Sequence, residues 1–194
     1  MQVEDVFEKL RNDYRNKEYT DRGINPIFQL NRDSKILIIG QAPGRKVEES
    51  GILFNDKSGE NLVDWLGISM DTLHSKNFSI LPMDFYYPGK AKSGDKPPRK
   101  FIGKEYHPLL LEDLKNLKLT ILVGTYAQKF YLKDDFKKNL TETVRNFKDY
   151  LPEYFPIVHP SPLNNRRMAK NTFFKDQALP ELRKIIKRIL FENL

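Results

Sequence analysis

The sequence predicts an α/β fold, a three-layer α/β/α sandwich with a central four-stranded, mainly parallel sheet. Four short apolar segments, each bounded by Gly, Pro or polar residues, have the length and composition of buried strands. They lie at 35–40, 78–82, 119–124 and 155–159. Helical patterns separate them, and this alternation is typical of a parallel sheet covered by helices on both faces.

Helices are predicted where apolar residues recur at three- and four-residue spacing. Ser58 and Thr141 belong to residue types favoured at N-caps, and each is predicted to cap the helix beside it. The last helical segment gathers cations near its C-terminal end, which the helix dipole favours. The predicted helices cover 3–14, 58–67, 107–117, 126–132, 139–151 and 173–190.

Length and composition predict one domain over residues 1–194, because 39% hydrophobic side chains suffice for one substantial core. A formal charge of +7 favours an acidic partner such as nucleic acid. The absence of cysteine excludes disulfides, a Cys nucleophile and a thiolate-held cluster. With three histidines a metal site is hard to assemble, so no metal or cofactor is expected. No apolar run spans a bilayer and no signal peptide opens the chain, so we expect a cytoplasmic monomer without membrane contact.

Open parallel sheets bind ligands at the carboxyl ends of their strands, so a binding site is expected at these ends. GQAPG, at 40–44, follows the first strand. Gly40 and Gly44 permit a sharp turn whose unpaired amides can face a ligand's oxygens. The spacing of a Walker phosphate loop is absent. Taken alone, the motif is equally compatible with an ordinary strand-to-loop corner.

The fourth strand runs into HPSPLNN, at 159–165, where two prolines favour a rigid, extended loop. A lone histidine after a strand is more often structural than catalytic. However, two rigid loops at neighbouring strand ends should converge on one crevice, which favours a binding site. Residues 87–100, rich in Gly, Pro and Lys, are predicted to form an exposed, mobile loop after the second strand.

GQAPG and HPSPLN, in this order, with Phe54 after the first motif and LVGTYAQ on the intervening strand, resemble the uracil-DNA glycosylase superfamily over roughly residues 35–185. HPSPLNNRRMAKNTFF resembles the single-strand-selective monofunctional branch. GQAPG and the segment up to Phe54 resemble the thermostable iron–sulfur branch without its cysteines. The resemblance implies a DNA glycosylase that hydrolyses the N-glycosidic bond of uracil, or of another deaminated or damaged base, flipped out of single- or double-stranded DNA.

The resemblance also implies roles for individual residues. Phe54 corresponds to the aromatic ring on which the flipped base stacks, although an apolar residue there can equally be core. His159 corresponds to the histidine beside a base carbonyl, Ser161 to the residue that grips a flanking phosphate, and Leu163 with Asn164 to the wedge that fills the vacated space.

Three further positions are assigned in the same way. Gly40 and Ala42 are expected to bring the first loop against the base. Arg166 is expected to contact a phosphate, although a solvated surface explains this arginine about as well.

Two departures from the family pattern fall on the chemistry. Relatives place Asp or Asn at the position of Ala42, or Glu at that of Gln41, to orient water and to offset positive charge on the sugar. Gln41 can hydrogen-bond a water but carries no charge. The asparagine that reads the edge of uracil corresponds to Pro82, which cannot do so.

Several residues are candidates to compensate. Asp84 lies two residues beyond Pro82 and, if the strand continues, projects to the same side. We therefore expect it to act as a catalytic carboxylate or as an acceptor for a base that presents donors. Asn55 has the donor and acceptor that edge recognition needs. The remaining candidates are the loop carboxylates Glu48, Glu49 and Asp56, which solvation alone also explains.

Two alternatives to the glycosylase remain. The absence of a carboxylate at Gln41 and Ala42 is equally consistent with a catalytically inactive nucleic-acid-binding protein of the same fold. An enzyme or binding protein for a small molecule is the third hypothesis, because one fold hosts many functions.

Overall fold

The computed structural model describes residues 3–164 and 171–191. Four strands form one sheet in the order β2-β1-β3-β4, and all neighbouring strands are parallel. The four predicted strands are confirmed, with ends that differ by at most two residues. Their bounds are β1 Ile36–Ile39, β2 Phe78–Ile80, β3 Leu119–Val123 and β4 Tyr154–Ile157.

Helices precede, separate and follow the strands. They are α1 Val3–Asn12, α2 Lys17–Asp21, α3 Arg45–Ser50, α4 Lys57–Leu66, α5 Met70–Leu73, α6 His107–Leu111, α7 Gly124–Leu132, α8 Leu140–Arg145 and α9 Leu179–Phe191. A π-helical turn precedes both α6 and α9, at Ile102–Tyr106 and Phe174–Ala178. Within the described ranges, no helix combines the length and apolar character that crossing a membrane requires.

The side chains of β1 divide between two cores, which confirms the three-layer sandwich. Ile36 and Ile38 pack on the face that α4, α8 and α9 cover. Leu37 and Ile39 pack on the opposite face with α1, α6 and α7. Because successive strand residues point to opposite faces and both faces are buried, the strand is apolar throughout rather than alternating.

The strand order places a crevice beside the end of β1. From β1 the chain moves to β2 on one side and then crosses back to β3 on the other. The connections that follow β1 and β3 therefore diverge at this point, and ligands of open α/β sheets bind at such switch points.

The helix caps differ from those predicted. Asp56, not Ser58, caps α4, because its carboxylate accepts a hydrogen bond from Gly59 N at 3.0 Å. Asn139, not Thr141, caps α8 by accepting from Glu142 N at 3.0 Å. Each observed N-cap residue therefore lies two residues before the serine or threonine that was predicted to cap the helix.

Helix lengths also differ. The segment predicted as one helix at 139–151 divides into α8 and a 3₁₀ turn, Phe147–Tyr150. The helix predicted over 107–117 ends at Leu111. Helix α3 was not predicted, although Gly51, in the left-handed conformation favoured at helix C-termini, ends it with a bond to Val47 O.

His107 is a buried structural residue behind the second strand end. Its Nε2 donates to Pro82 O at 2.9 Å, so its Nδ1 accepts from the Tyr131 hydroxyl at 2.6 Å. Burial lowers the pKa of His107 to about 4, so the imidazole is neutral at pH 7.

Acidification is predicted to destabilise the fold through His107. Its folded-state pKa lies below the ordinary value of 6.5, so the unfolded chain binds the proton more tightly and stability falls as the pH drops from 6.5 to 4. The free energy of unfolding in urea should decrease by about 2 kcal/mol between pH 7 and pH 5 from this group. An imidazole NMR titration of His107 checks the assignment, and a midpoint near 6.5 would contradict it.

Candidate functional site

One cavity of about 510 Å³ lies at the carboxyl ends of the strands. Its size is in the range of small-molecule sites. The segments that follow β1, β2 and β4, together with the start of α4, form its wall, so the predicted convergence of the first and last loops is found. The lining residues are Gly40, Gln41, Ala42, Pro43, Gly44, Val47, Leu53, Phe54, Asp56, Ser58, Pro82, Lys90, Gly94, Asp95, His159, Ser161, Leu163 and Asn164.

Phe54 forms an apolar wall of the cavity beside β1. Its φ of 58° is in the left-handed region, which costs a residue other than glycine about 1 kcal/mol. A Cβ built on Gly40 would meet Phe54 Cζ at 3.7 Å, so the ring edge lies over the end of the strand. The ring is therefore held in an unusual orientation facing the cavity.

Gly59 allows the Phe54 backbone to lie against the first turn of α4. A Cβ at residue 59 would lie 1.7 Å from Phe54 O, so no larger residue fits against that backbone. The first turn of α4 thus packs directly on the Phe54 peptide, and Phe54 is fixed by a helix rather than by a free loop.

His159 presents a neutral imidazole to the cavity. Its Nδ1 accepts a hydrogen bond from Ser161 N at 3.1 Å, which leaves the proton on Nε2. Burial lowers the pKa of His159, opposed by the nearby charges of Asp56 and Asp95. Among the described residues Nε2 has no hydrogen-bond partner. The site therefore offers an N–H donor that is uncharged at pH 7.

The loop after His159 is held rigidly by side-chain amides. Asn164 Nδ2 donates to His159 O at 2.9 Å, and Asn61 Nδ2 of α4 donates to Pro160 O at 2.7 Å. Ser161 Oγ accepts from Leu163 N at 3.3 Å, which shapes the 3₁₀ turn Pro162–Asn164.

Leu163 projects from this turn with 88% of its surface exposed. No packing requirement explains an exposed leucine on a loop so well fixed. The amide of Asn164 is occupied in supporting the loop, so the apolar tip is Leu163 itself.

Gln41, Ala42 and Pro82 all line the cavity, as expected from their places at strand ends. None of the three carries an ionisable group. The first loop therefore supplies backbone and one side-chain amide, and any charge in the cavity comes from elsewhere.

Asp84 lies outside the cavity, and the expectation that it projects beside Pro82 is wrong. Strand β2 ends at Ile80 and the chain bends over residues 83–86, so the alternation of sides does not continue. Asp84 is fully buried, and its carboxylate accepts from the Arg99 guanidinium twice at 2.8 Å. It also accepts from Tyr86 N at 3.1 Å and Arg99 N at 3.0 Å.

Asp56, at the start of α4, is one of two carboxylate residues that line the cavity among the described residues, and Asp95 is the other. One oxygen of Asp56 caps α4 through Gly59 N, and within the described ranges no partner occupies the other. Its charge acts on His159, raising the pKa of that imidazole against the effect of burial. Sequence reasoning ranked Asp56 below Asp84 because loop carboxylates are usually solvated, whereas this one is a helix cap.

The other predicted residues lie away from the cavity lining. Asn55 is exposed, Glu49 pairs with Arg45 at 3.2 Å, and Glu48 is 3.6 Å from Arg22. Arg166 is outside the described residues.

Residues 89–96, within the segment predicted to be an exposed, mobile loop, are mostly exposed and form a small hairpin. Lys90 and Asp95 form an antiparallel bridge, and Lys96 N donates to Gly89 O at 2.9 Å. Lys90 Nζ lies 3.0 Å from Asp95 Oδ1, and both residues line the cavity. In the part of the chain that the structure describes, no cluster of His, Asp and Glu is arranged to hold a metal.

The fold and this site define a class: an open-sheet α/β protein with a ring-sized apolar wall, a neutral imidazole and a carboxylate around one switch-point cavity. The model of the uracil DNA glycosylase superfamily matches residues 27–183. The chain therefore belongs to the uracil DNA glycosylase superfamily.

The chain also shows low overall similarity to solved structures. One of them is the solution NMR structure of a candidate uracil DNA glycosylase from Methanosarcina acetivorans, 17% identical, with a TM-score of 0.46. The match covers 82% of this chain and 98% of the other. A likeness of this size carries no conclusion about function.

Arg99→Leu is predicted to destabilise the protein by about 3–5 kcal/mol, because it leaves the buried Asp84 carboxylate without its counter-charge. Urea unfolding measures the loss. Lys17→Gln is the matched control, since the Lys17–Asp21 pair is exposed and should contribute less than about 1 kcal/mol. Equal effects of the two substitutions would contradict the structural role of the Asp84–Arg99 pair.

Gly59→Ala is predicted to lower the free energy of unfolding by about 1–3 kcal/mol, because the new methyl group must displace the Phe54 peptide. Gly40→Ala should change it by less than about 1 kcal/mol, since the added Cβ makes an ordinary contact at 3.7 Å. Thermal or urea unfolding of the two variants tests this difference, and a Gly59→Ala protein as stable as the parent would disprove the close approach.

Proposed function

We propose that this protein is a monofunctional DNA glycosylase that removes uracil or another deaminated or damaged base from DNA. The observation that carries the proposal is one cavity in which the Phe54 ring, the neutral His159 Nε2–H and the Asp56 carboxylate converge, with exposed Leu163 on its rim. Membership of the superfamily supports the same conclusion.

The base is held by its face and by one carbonyl. A flipped base stacks on Phe54, which is oriented by the first turn of α4. The Nε2–H of His159 donates to a base carbonyl, and this bond strengthens as the leaving base becomes an anion. A neutral donor suits this role because its proton position is set by Ser161 N and does not change with the reaction.

Asp56 and Gln41 act at the sugar, where positive charge develops and water adds. The N-glycosidic bond breaks with its electron pair moving to the base, leaving positive charge at C1′, which the carboxylate stabilises. Gln41 hydrogen-bonds the water that adds at C1′. Asp56 accepts the proton that this water loses and passes it to solvent, from which the base anion gains a proton, so the products are the free base and an abasic site.

Leu163 and the basic charge of the chain account for binding to DNA. An apolar side chain on a rigid turn can enter the space that a flipped nucleotide leaves. Ser161, half-buried at the same rim, faces the region where a flanking phosphate would lie. The net charge of +7 supports attraction to the phosphate backbone.

Lys90 explains why the reaction ends at the abasic site. It is the one amine among the described residues that line the cavity. Its ion pair with Asp95 raises the pKa of Lys90, so the amine stays protonated and does not form an imine with the sugar. Borohydride trapping should accordingly give no covalent protein–DNA product.

Strand scission after alkali treatment is the direct test. Oligonucleotides bearing uracil, hypoxanthine or xanthine, single- and double-stranded, should be cleaved only after incubation with the protein. Asp56→Asn keeps the helix cap but loses the charge, so its single-turnover rate should fall by about 10²–10³-fold with little change in stability.

Asp64→Asn is the matched control, because Asp64 is exposed on the same helix and lies away from the cavity. The absence of scission across the whole panel would refute the glycosylase. Salt-sensitive binding to the same oligonucleotides without base release would then identify an inactive nucleic-acid-binding protein, the alternative that the uncharged Gln41 and Ala42 favour.

A further inference from the structure

The hairpin at 89–96 is held beside the cavity by a buried clamp, which consists of the Asp84 carboxylate and Arg99. The carboxylate of Asp84 accepts from Tyr86 N and Arg99 N, the backbone groups that flank the hairpin on its two sides. The Arg99 guanidinium adds two bonds to the same carboxylate and one to Asn16 Oδ1 at 2.8 Å. Both ends of the segment are therefore fixed to one buried group.

The side chains that this hairpin brings to the cavity are a matched pair. Lys90 Nζ and the Tyr87 hydroxyl both contact Asp95 Oδ1, at 3.0 and 3.3 Å. Asp95 Oδ2 has no partner among the described residues, and the ammonium of Lys90 has further protons to donate. The pair thus offers one donor and one acceptor, side by side.

Among the described residues between β2 and β3 that line the cavity, only those of the hairpin have side chains that can recognise a base edge. Pro82 has neither donor nor acceptor in its side chain, and its carbonyl oxygen is occupied by His107. Asp84 is committed to the clamp. The polar atoms on this side of the cavity are those of the hairpin.

We propose that Lys90 and Asp95 discriminate against bases with an amino edge, by binding the hydrogen-bonding edge of the flipped base. This inference rests on the proposed glycosylase function and names its substrate class: bases that present a carbonyl oxygen beside a ring N–H, as uracil, hypoxanthine and xanthine do. Lys90 donates to the carbonyl and Asp95 accepts from the ring N–H.

Charge favours this class over bases with an amino edge. When the glycosidic bond breaks, negative charge spreads onto the carbonyl oxygens of the leaving base. An ammonium at such an oxygen is bound more tightly in the transition state than in the ground state, so it accelerates the reaction. Cytosine and adenine carry an amino group in place of that oxygen and lack the acceptor that Lys90 stabilises.

Lys90→Met and Asp95→Asn test the pair through the ratio of kcat/KM values among bases. Lys90→Met removes the donor at nearly constant length and should lower kcat/KM for uracil, hypoxanthine and xanthine by about 10- to 100-fold relative to kcat/KM for cytosine. Asp95→Asn replaces an acceptor by an amide that can donate or accept, so discrimination against cytosine should weaken by about 10-fold or more.

Lys92→Met is the matched control, because Lys92 lies on the same hairpin, is exposed and does not line the cavity. It should leave the base ratios unchanged. Circular dichroism and thermal unfolding of each variant identify a loss of fold, which would lower all rates together without changing the ratios.

The outcomes separate this inference from the proposed function. A parent protein that releases no base refutes the glycosylase itself. A parent that releases uracil while both variants keep its base ratios refutes the edge-binding role alone. An equal loss on every base, with a smaller salt dependence for Lys90→Met, would show instead that Lys90 contacts phosphate.

Discussion

The first turn of α4 is the constraint on which the site depends. Three of its contacts reach three parts of the cavity. Gly59 lies against the Phe54 peptide, Asp56 caps the helix from within the cavity wall, and Asn61 holds Pro160 O in the last strand-end loop. A rigid element thereby positions an aromatic ring, a carboxylate and a histidine loop together.

The helix is in turn fixed by the core and by its own C-terminal end. Leu62 and Leu66 are buried in the core on one face of the sheet, and Arg183 of α9 donates to Asp64 O at 2.7 Å and Trp65 O at 3.1 Å. A displacement of a catalytic group by about 1 Å lowers the reaction rate. Catalytic groups that are positioned by such a helix are therefore held more accurately than groups on free loops.

The fold could be predicted from sequence because both faces of the sheet are buried, which makes each strand a short, wholly apolar run. The loops at 40–44 and 159–164 were likewise recognisable, since proline and glycine fix local geometry. The position of Asp84 could not be predicted in this way, because it depends on a contact with a residue distant in the sequence. Asp84 was misplaced because a bend after Pro82 turns it towards Arg99, fifteen residues on. No local pattern distinguishes that carboxylate from one that faces a ligand.

Asp56, in contrast to Asp84, lines the cavity although the sequence did not favour it. Its sequence neighbourhood indicated a solvated loop, whereas capping by Asp56 makes it part of a helix start that faces the cavity. The hairpin was also unpredictable, because the Lys90–Asp95 pairing that orders it is a specific side-chain contact within a segment whose composition is typical of disorder.

The separation of Gln41 from Asp56 is consistent with the physics of the proposed reaction. Orienting a water requires a hydrogen bond of about 3 Å, and a neutral amide at the strand end satisfies it. Stabilising positive charge on a sugar requires only a negative charge nearby, since Coulomb attraction falls as the inverse of distance and remains strong in a partly buried cavity. The two tasks need not fall to one residue. An uncharged GQAPG loop is therefore compatible with catalysis, provided that a carboxylate faces the same cavity from another element, as Asp56 does.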